Sequence, residues 1–289
     1  NYGGDPSALT ARLSASITIN EQNDAPDASD SSVIAIEDST YIFMVADFNY
    51  AQPGGEADAM DGVRIDALPG VGTLQLNGIA ISSGDIIAQS DIVAGNLTYV
   101  PPADENGAAF ESFTFSVRDS RGAFDATANT MVVNVLPVND PPSAIPSQNF
   151  VIGEDDGAQT VSGFMQSVEE GGGPDENLQT VTLNVESVTD GALFTAAELF
   201  DILPNFTDAT DSDNTLTFTA SDILAEGETE TVTVTVGVTD NGGTDNGGND
   251  TGTDQTFTIT ITGVNDAPVL DTAQPDQSNI DGETITPVD

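Results

Sequence analysis

The stretch Thr130-Met131-Val132-Val133-Asn134-Val135-Leu136-Pro137-Val138-Asn139-Asp140-Pro141-Pro142 decides how this chain folds. Met131, Val133 and Val135 fall at spacing two, the period of a strand with one buried face. The run ends at an Asn-Asp pair that prolines stiffen into a turn. The same order occurs twice more. Ser14 to Asn20 alternates ahead of Asn23, Asp24, Ala25 and Pro26, and Phe257, Ile259 and Ile261 alternate ahead of Asn265, Asp266, Ala267 and Pro268. A strand that repeatedly ends in an acidic hinge marks the junctions of a tandem array rather than loops inside one globule.

Working outward from the hinges gives the organisation. Residues 27–142 and 143–268 are each long enough to bury a core. Residues 1–26 read as the terminal strand and linker of a preceding or partner domain. Residues 269–289 read as the start of a following domain or an assembly strand. Unit one is expected to have strands near 33–36, 40–46, 62–67, 73–76, 97–100, 112–117 and 129–135, with no convincing helix. Unit two is expected to have strands near 148–152, 158–165, 179–186, 215–220, 230–238 and 255–262, with one helical turn inside 195–206. The glycine-rich stretch 242–252 reads as a long hairpin loop of low order. Seven or so short strands split by Gly, Pro, Asn and Asp make an all-β chain of tandem Greek-key β-sandwiches, arranged end to end as a rod.

Composition limits the chemistry. The chain carries 48 acidic residues against four arginines (Arg12, Arg64, Arg118, Arg121), with no lysine or histidine and a formal charge of −44. Such a charge disfavours nucleic acid and anionic lipid, and it calls for cations. Cysteine, histidine and tryptophan are absent, which removes disulfides, thiol or imidazole catalysis and ordinary zinc sites. Oxygen ligands suited to calcium remain. No apolar run is long enough to span a membrane.

A sandwich with an odd number of strands has its ends at opposite poles, so specific loops should meet the hinges. At the upstream pole of unit one, Asp47, Asn49 and Asp119 are expected beside Asn23 and Asp24. At its downstream pole, Glu37, Asp38, Asp104 and Glu105 are expected with Asn139 and Asp140, and Glu169 or Glu170 and Asp240 of unit two complete the set. At the last hinge, Glu154 and Asp155 are expected with Asn265 and Asp266, facing Glu226, Glu228 or Glu230. Any one of these acids alone reads as a solvated charge or turn former. Their recurrence at unit boundaries is what points to calcium, which takes six to eight oxygens. Phe113, Phe115 and Val117, like Val232, Val234, Val236 and Val238, read as core.

At these residues the chain resembles the bacterial cadherin-like repeats found in tandem in giant secreted adhesins and surface proteins. The resemblance rests on Val138-Asn139-Asp140 and Val264-Asn265-Asp266-Ala267-Pro268, on Glu37-Asp38-Ser39 and Glu154-Asp155-Asp156, and on the run from Phe113 to Gly122. Unit two echoes that run in Val236 to Gly243. The resemblance implies a calcium-rigidified, extracellular, cell-surface rod. In it Asn139 and Asp140 would be linker ligands, Glu37 the early glutamate, Asp104 and Glu105 the acidic loop group, and Asp240 the acceptor from the next domain. The long 187–214 region and the 240–254 loop depart from the pattern.

The leading expectation is mechanical: a structural segment of an exported rod, fibre or adhesin stalk, without catalytic residues. Its partners are neighbouring cadherin-like domains of the same chain or identical subunits. The alternatives are a surface filament polymerised by β-strand addition, a module binding a glycan or a surface protein, and a salt-adapted acidic protein. Adjacent acids such as Asp104 and Glu105 suit glycoside chemistry only as any acid pair does.

Overall fold

The computed structural model describes residues 22–54, 57–210 and 213–266. The expected strand at 14–21 and the segment 269–289 lie outside the described residues. Two compact units emerge, the first holding the described chain up to Val138 and the second nearly all of it from Asn139 onward.

Unit one contains β1 (Ser31–Ile36), β2 (Tyr41–Ile42), β3 (Met60–Ala67), β4 (Thr73–Leu76), β5 (Ile79–Ala80), β6 (Ile86–Ala88), the helical turn α1 (Gln89–Val93), β7 (Leu97–Val100), β8 (Gly107–Asp119) and β9 (Asn129–Leu136). A five-stranded sheet ordered β1-β9-β8-β3-β6 faces a four-stranded sheet ordered β2-β7-β4-β5. Alternation does the folding. In β9 the side chains of Met131, Val133 and Val135 are buried, while Thr130, Val132 and Asn134 are half-exposed. Phe113, Phe115 and Val117 of β8 meet them in the core. Phe43 locks the two sheets by edge-to-face contacts with Tyr41 and Phe113, at centroid distances of 5.1 and 5.6 Å.

Strand β1 runs parallel to β9, from Ser31 beside Met131 to Ile36 beside Leu136. The chain therefore enters unit one at one pole and leaves at the other. This direction places the loop after β8 near the incoming chain and the loop before β8 near the outgoing one.

Some expectations for unit one change. Only Tyr41 and Ile42 of the 40–46 run form a strand. The Asp47 carboxylate accepts from the Met44 N–H at 2.8 Å and turns Val45–Phe48 into a 3-10 helix. A helical turn, α1, also exists where none was expected. Buried Ile92 anchors it, and Asn96 closes its end by donating to Asp91 Oδ1 at 3.0 Å. Tight backbone approach appears at Gly72, where φ is +70° and a Cβ would lie 2.3 Å from the Tyr99 hydroxyl.

Unit two contains β10 (Ser143–Pro146), β11 (Phe150–Gly153), β12 (Gln159–Ser162), β13 (Met165–Glu169), β14 (Thr182–Val188), the helical turn α2 (Ala196–Leu199), β15 (Phe200–Asp208), β16 (Thr215–Ala220), β17 (Thr229–Thr239) and β18 (Gln255–Thr262). Its sheets are ordered β11-β18-β17-β14, β12-β16-β15 and β10-β13. The valines of β17 and Phe257, Ile259 and Ile261 of β18 supply the core. Phe164 sits among Phe150, Phe206 and Phe257. Strand β11 runs parallel to β18, from Phe150 beside Ile259 to Gly153 beside Thr262, so the pole logic of unit one recurs.

The helical turn expected within 195–206 is confined to α2, where Thr195 and Glu198 make a reciprocal capping box. The rest of that segment is β15, because Phe200 and Phe206 are needed in the core. The expected strand 158–165 breaks at Gly163 (φ +61°), and its two parts join different sheets. The 242–252 loop is tied down: the Asn249 N–H donates to Asn139 O at 2.8 Å, and the Asp240 N–H to Asp250 O at 3.0 Å. Among the described residues no helix is long and apolar enough to cross a membrane.

Candidate cation sites at the poles

At the upstream pole of unit one, Asn23 Nδ2 donates to Asp119 Oδ2 at 3.0 Å. Asp119 ends β8 and is fully buried, and its other oxygen accepts from the Arg121 and Ala123 N–H groups at 2.9 Å each. Burial pushes this carboxyl up, but the Ala123 N–H, the Asn23 carboxamide and the Arg121 N–H outweigh it and hold the group below its ordinary value. The carboxylate is thus kept charged. Asn23 Oδ1 is buried and accepts no hydrogen bond. Asp24 is positioned through its carbonyl, which accepts from Gln52 Nε2 at 3.0 Å, and its Oδ2 lies where a Cβ on Gly54 would come within 2.5 Å.

Asp47 and Asn49, expected at this pole, have their side chains bonded elsewhere. Asp47 accepts from Met44 N and from the Tyr41 hydroxyl at 3.1 Å; burial first, then this carboxylate, pushes the Tyr41 phenol up to about 12. Asn49 adopts a left-handed conformation and donates to Asp30 O at 3.3 Å. Local capping captured the Asp47 side chain, and a carbonyl nineteen residues earlier in the chain took that of Asn49. The sequence reading also missed Asp125. It is buried and accepts from Ala28 N at 3.0 Å, Thr127 N at 2.9 Å and Asn129 Nδ2 at 2.7 Å, fastening the chain just past the hinge to the β8–β9 loop. The visible signal was its place in the same loop as Asp119.

At the downstream pole of unit one, Glu37 is buried, accepting from Val138 N at 2.5 Å and Asn106 Nδ2 at 3.0 Å. Burial raises its pKa against the opposing effect of these donors. Asp38 and Asp104 are exposed and both left-handed, with φ of 56° each, and their carboxylate oxygens lie within 4.8 Å of one another. The Asp104 N–H donates to Asp38 Oδ1 at 3.3 Å. Glu105 is exposed beside them.

Unit two repeats the upstream arrangement. Asn139 Nδ2 donates to Asp240 Oδ1 at 2.9 Å, as Asn23 does to Asp119. Asp240 Oδ1 also accepts from the Gly242 N–H at 2.8 Å, while Asn139 Oδ1 and Asp240 Oδ2 are buried and accept no hydrogen bond. The Asp140 N–H donates to Glu176 Oε1 at 2.5 Å, and Glu176 is buried. The acid that meets Asp140 within unit two is therefore Glu176. Glu169 is exposed at the end of β13, and Glu170 is half-exposed just beyond it. Glu176 sits in an irregular loop between strands, where periodicity carries no signal.

At the downstream pole of unit two, buried Glu154 accepts from Ile223 N at 2.9 Å and from Leu224 N and Val264 N at 2.8 Å each. Asp155, Asp222 and Asp266 are exposed, with one carboxylate oxygen from each within 4.8 Å of the others. The charge of Asp266 is the main cause of a raised Asp222 pKa, with burial and then Asp155 adding to it. Asn265 donates only to the Asp266 carbonyl, at 3.3 Å, among its described bonds. Of the glutamates expected here, Glu230 is buried and accepts from Ala192 N and Leu193 N, closing the 190–195 loop. Glu228 caps its own turn through Ala225 N at 3.1 Å, and Glu226 is exposed. Asp222 takes the place expected for these glutamates.

The residues fit a hard cation. Buried carbonyl and carboxylate oxygens that accept nothing are rare and need a partner. Here they stand in matched positions, Asn23 Oδ1 in unit one and Asn139 Oδ1 with Asp240 Oδ2 in unit two. Oxygens bound at about 2.3–2.6 Å around one calcium must lie within about 5 Å of each other, which the Asp155, Asp222 and Asp266 carboxylates satisfy.

Residues 23–134 match the family model described as a bacterial Ig domain. The match lies within unit one. The matched span starts at the hinge Asn23 and ends inside β9, taking in both sheets and both poles. Human protocadherin-24 EC1-2 (form II) is similar in structure at 17% identity and a TM-score of 0.46, covering 84% of this chain and 100% of that one. Human mucin-like protocadherin EC1-2 is similar at 16% identity and a TM-score of 0.35, covering 83% and 98%. Mouse cadherin-23 EC22-24 is similar at 16% identity and a TM-score of 0.35, covering 86% and 66%. No curated protein matches the chain.

Proposed function

We propose that the chain is a structural segment of an extracellular rod or adhesin stalk, as found on bacterial surfaces, whose acidic poles take up calcium and thereby stiffen the hinges. The observation that carries this reading is the repeated anchor of a hinge asparagine on the aspartate ending the penultimate strand, with acceptor oxygens left over at both sites. Asn23, Asp24 and Asp119 would supply one set. Asn139, Asp140 and Asp240 would supply the second. Asp155, Asp222 and Asp266 would supply the third.

The protein's own part is to hold these oxygens in place and keep them charged. Calcium would add neutralisation of like charges and would crosslink the hinge residues to the loops that hold them. Each residue so fixed loses backbone freedom worth about 1–2 kcal/mol, which a multidentate ion can offset. The partners implied are further Ig-like units, of this chain or of identical subunits. The test is small-angle scattering of the whole chain, titrated from chelator to millimolar calcium at fixed ionic strength, beside Asp140→Ala. A narrower, more extended distribution with calcium in the native chain, absent in the variant, is expected. Identical profiles would discard the mechanism.

A further inference from the structure

Glu37 and Glu154 occupy the place that the sequence assigns to metal ligands, but their oxygens are directed elsewhere. In unit one, Glu37 follows β1; one oxygen accepts from the Val138 N–H and the other from Asn106 Nδ2 in the loop before β8. In unit two, Glu154 follows β11; one oxygen accepts from the Val264 N–H and the other from the Ile223 and Leu224 N–H groups in the loop before β17. Both side chains are buried, with relative exposures of 1% and 3%. Two divergent units thus show one design, in which a buried carboxylate links the strand that runs parallel to the last one, the pre-penultimate loop and the peptide just before the Asn-Asp hinge.

We propose that Glu37 and Glu154 are positioning residues, latches that set the direction in which the chain leaves each sandwich before any cation binds. A carboxylate offers about four lone-pair directions, and three strong donors leave Glu154 little capacity for an ion. The bonded peptide is the last before the hinge, so fixing it orders Asn139 and Asp140, or Asn265 and Asp266, in advance. The latch raises cation affinity by preorganisation instead of coordination. This inference goes beyond the calcium reading, and its decisive test needs no calcium.

The test is residue-resolved amide exchange on the whole chain in chelator, for the native protein and for Glu37→Gln, Glu37→Ala, Glu154→Gln and Glu154→Ala. The Val138 and Val264 amides should be protected without cation. Hydrogen bonds to charged groups lead one to expect about 10- to 100-fold faster exchange at Val138 in Glu37→Ala and at Val264 in Glu154→Ala. Glutamine keeps one acceptor oxygen for Val138, and the Asn106 carboxamide can turn its oxygen to the new NH2, so Glu37→Gln should retain most protection and calcium affinity within about threefold of native; in Glu154→Gln the NH2 must face backbone N–H groups on one side, so that variant should lose part of its protection. Unprotected valine amides in chelator, or Gln variants that lose calcium affinity about 100-fold while keeping amide protection, would overturn the latch in favour of direct ligation. If the Ala variants fail to fold, Glu37→Gln still decides. Protected amides with no calcium binding at all would leave the latch standing and discard the calcium reading.

Discussion

Gly242 offers a sharp test of the upstream site in unit two. A Cβ built there would lie 1.7 Å from Asn139 Oδ1 and 2.6 Å from Gln179 Nε2, while the backbone itself is not left-handed. Gly242→Ala must therefore push the Asn139 carboxamide more than an ångström aside and break its 2.9 Å bond to Asp240. A hydrogen bond to a charged group is worth about 1.5–3 kcal/mol, so a cation using this pair should bind about 10- to 150-fold more weakly. The neighbouring Gly243 is the control. It meets nothing within 4 Å but has φ of +87°, so Gly243→Ala adds backbone strain of about 1–2 kcal/mol without touching the site. The assay is calorimetric unfolding with and without calcium. At a concentration of about 100 Kd the native chain gains about 2.7 kcal/mol, whereas a site weakened about 100-fold gains only about 0.4 kcal/mol. Gly242→Ala should thus lose most of the calcium-dependent rise in Tm, and Gly243→Ala should lower Tm equally with and without calcium. An undiminished calcium effect in Gly242→Ala, or equal loss in both variants, would refute the assignment of Asn139 and Asp240.

Phe164→Ala should cost about 3–5 kcal/mol, because the ring is fully buried among Phe150, Phe206 and Phe257; chemical denaturation of unit two reads it directly. Tyr99 is buried, donates to Val71 O at 3.1 Å, and has a phenol pushed up by burial to about 12; the difference in 295 nm titration between native and Tyr99→Phe should show that midpoint. Its folded value lies above the unfolded one of about 10, so its contribution is complete below pH 10 and disappears as pH rises towards 12. Arg64 stacks over the Phe124 ring at 4.6 Å, beside Arg118 at 5.8 Å, so Arg64→Ala should loosen the loop that carries Asp119 and Asp125 by about 0.5–2 kcal/mol, read as faster amide exchange at Ala123. Asp266→Asn should lower the Asp222 pKa in chelator, as followed by carboxyl NMR, because the Asp266 charge is the main cause of its rise.

What the sequence by itself determined was the strand periodicity of the core and the division at Asn-Asp. Spacing-two apolar residues such as Met131, Val133 and Val135 can bury one face only as a strand, and prolines after Asn139-Asp140 forbid its continuation. From parity alone it also grouped Asp47, Asn49 and Asp119 beside Asn23 and Asp24, of which Asp119 bonds Asn23, and it placed Asp240 at the end of a penultimate strand. Tertiary structure decided which acids are available there. Asp47 and Glu230 look like free carboxylates in the sequence, but one caps a turn and the other closes a loop. Asp125, Glu176 and Asp222 lie in irregular loops, where no period shows which residue points inward. A carboxylate becomes a latch, a cap or a candidate ligand according to the donors within about 3 Å of it, and that distance is set by residues as far away in the chain as Glu37 and Val138.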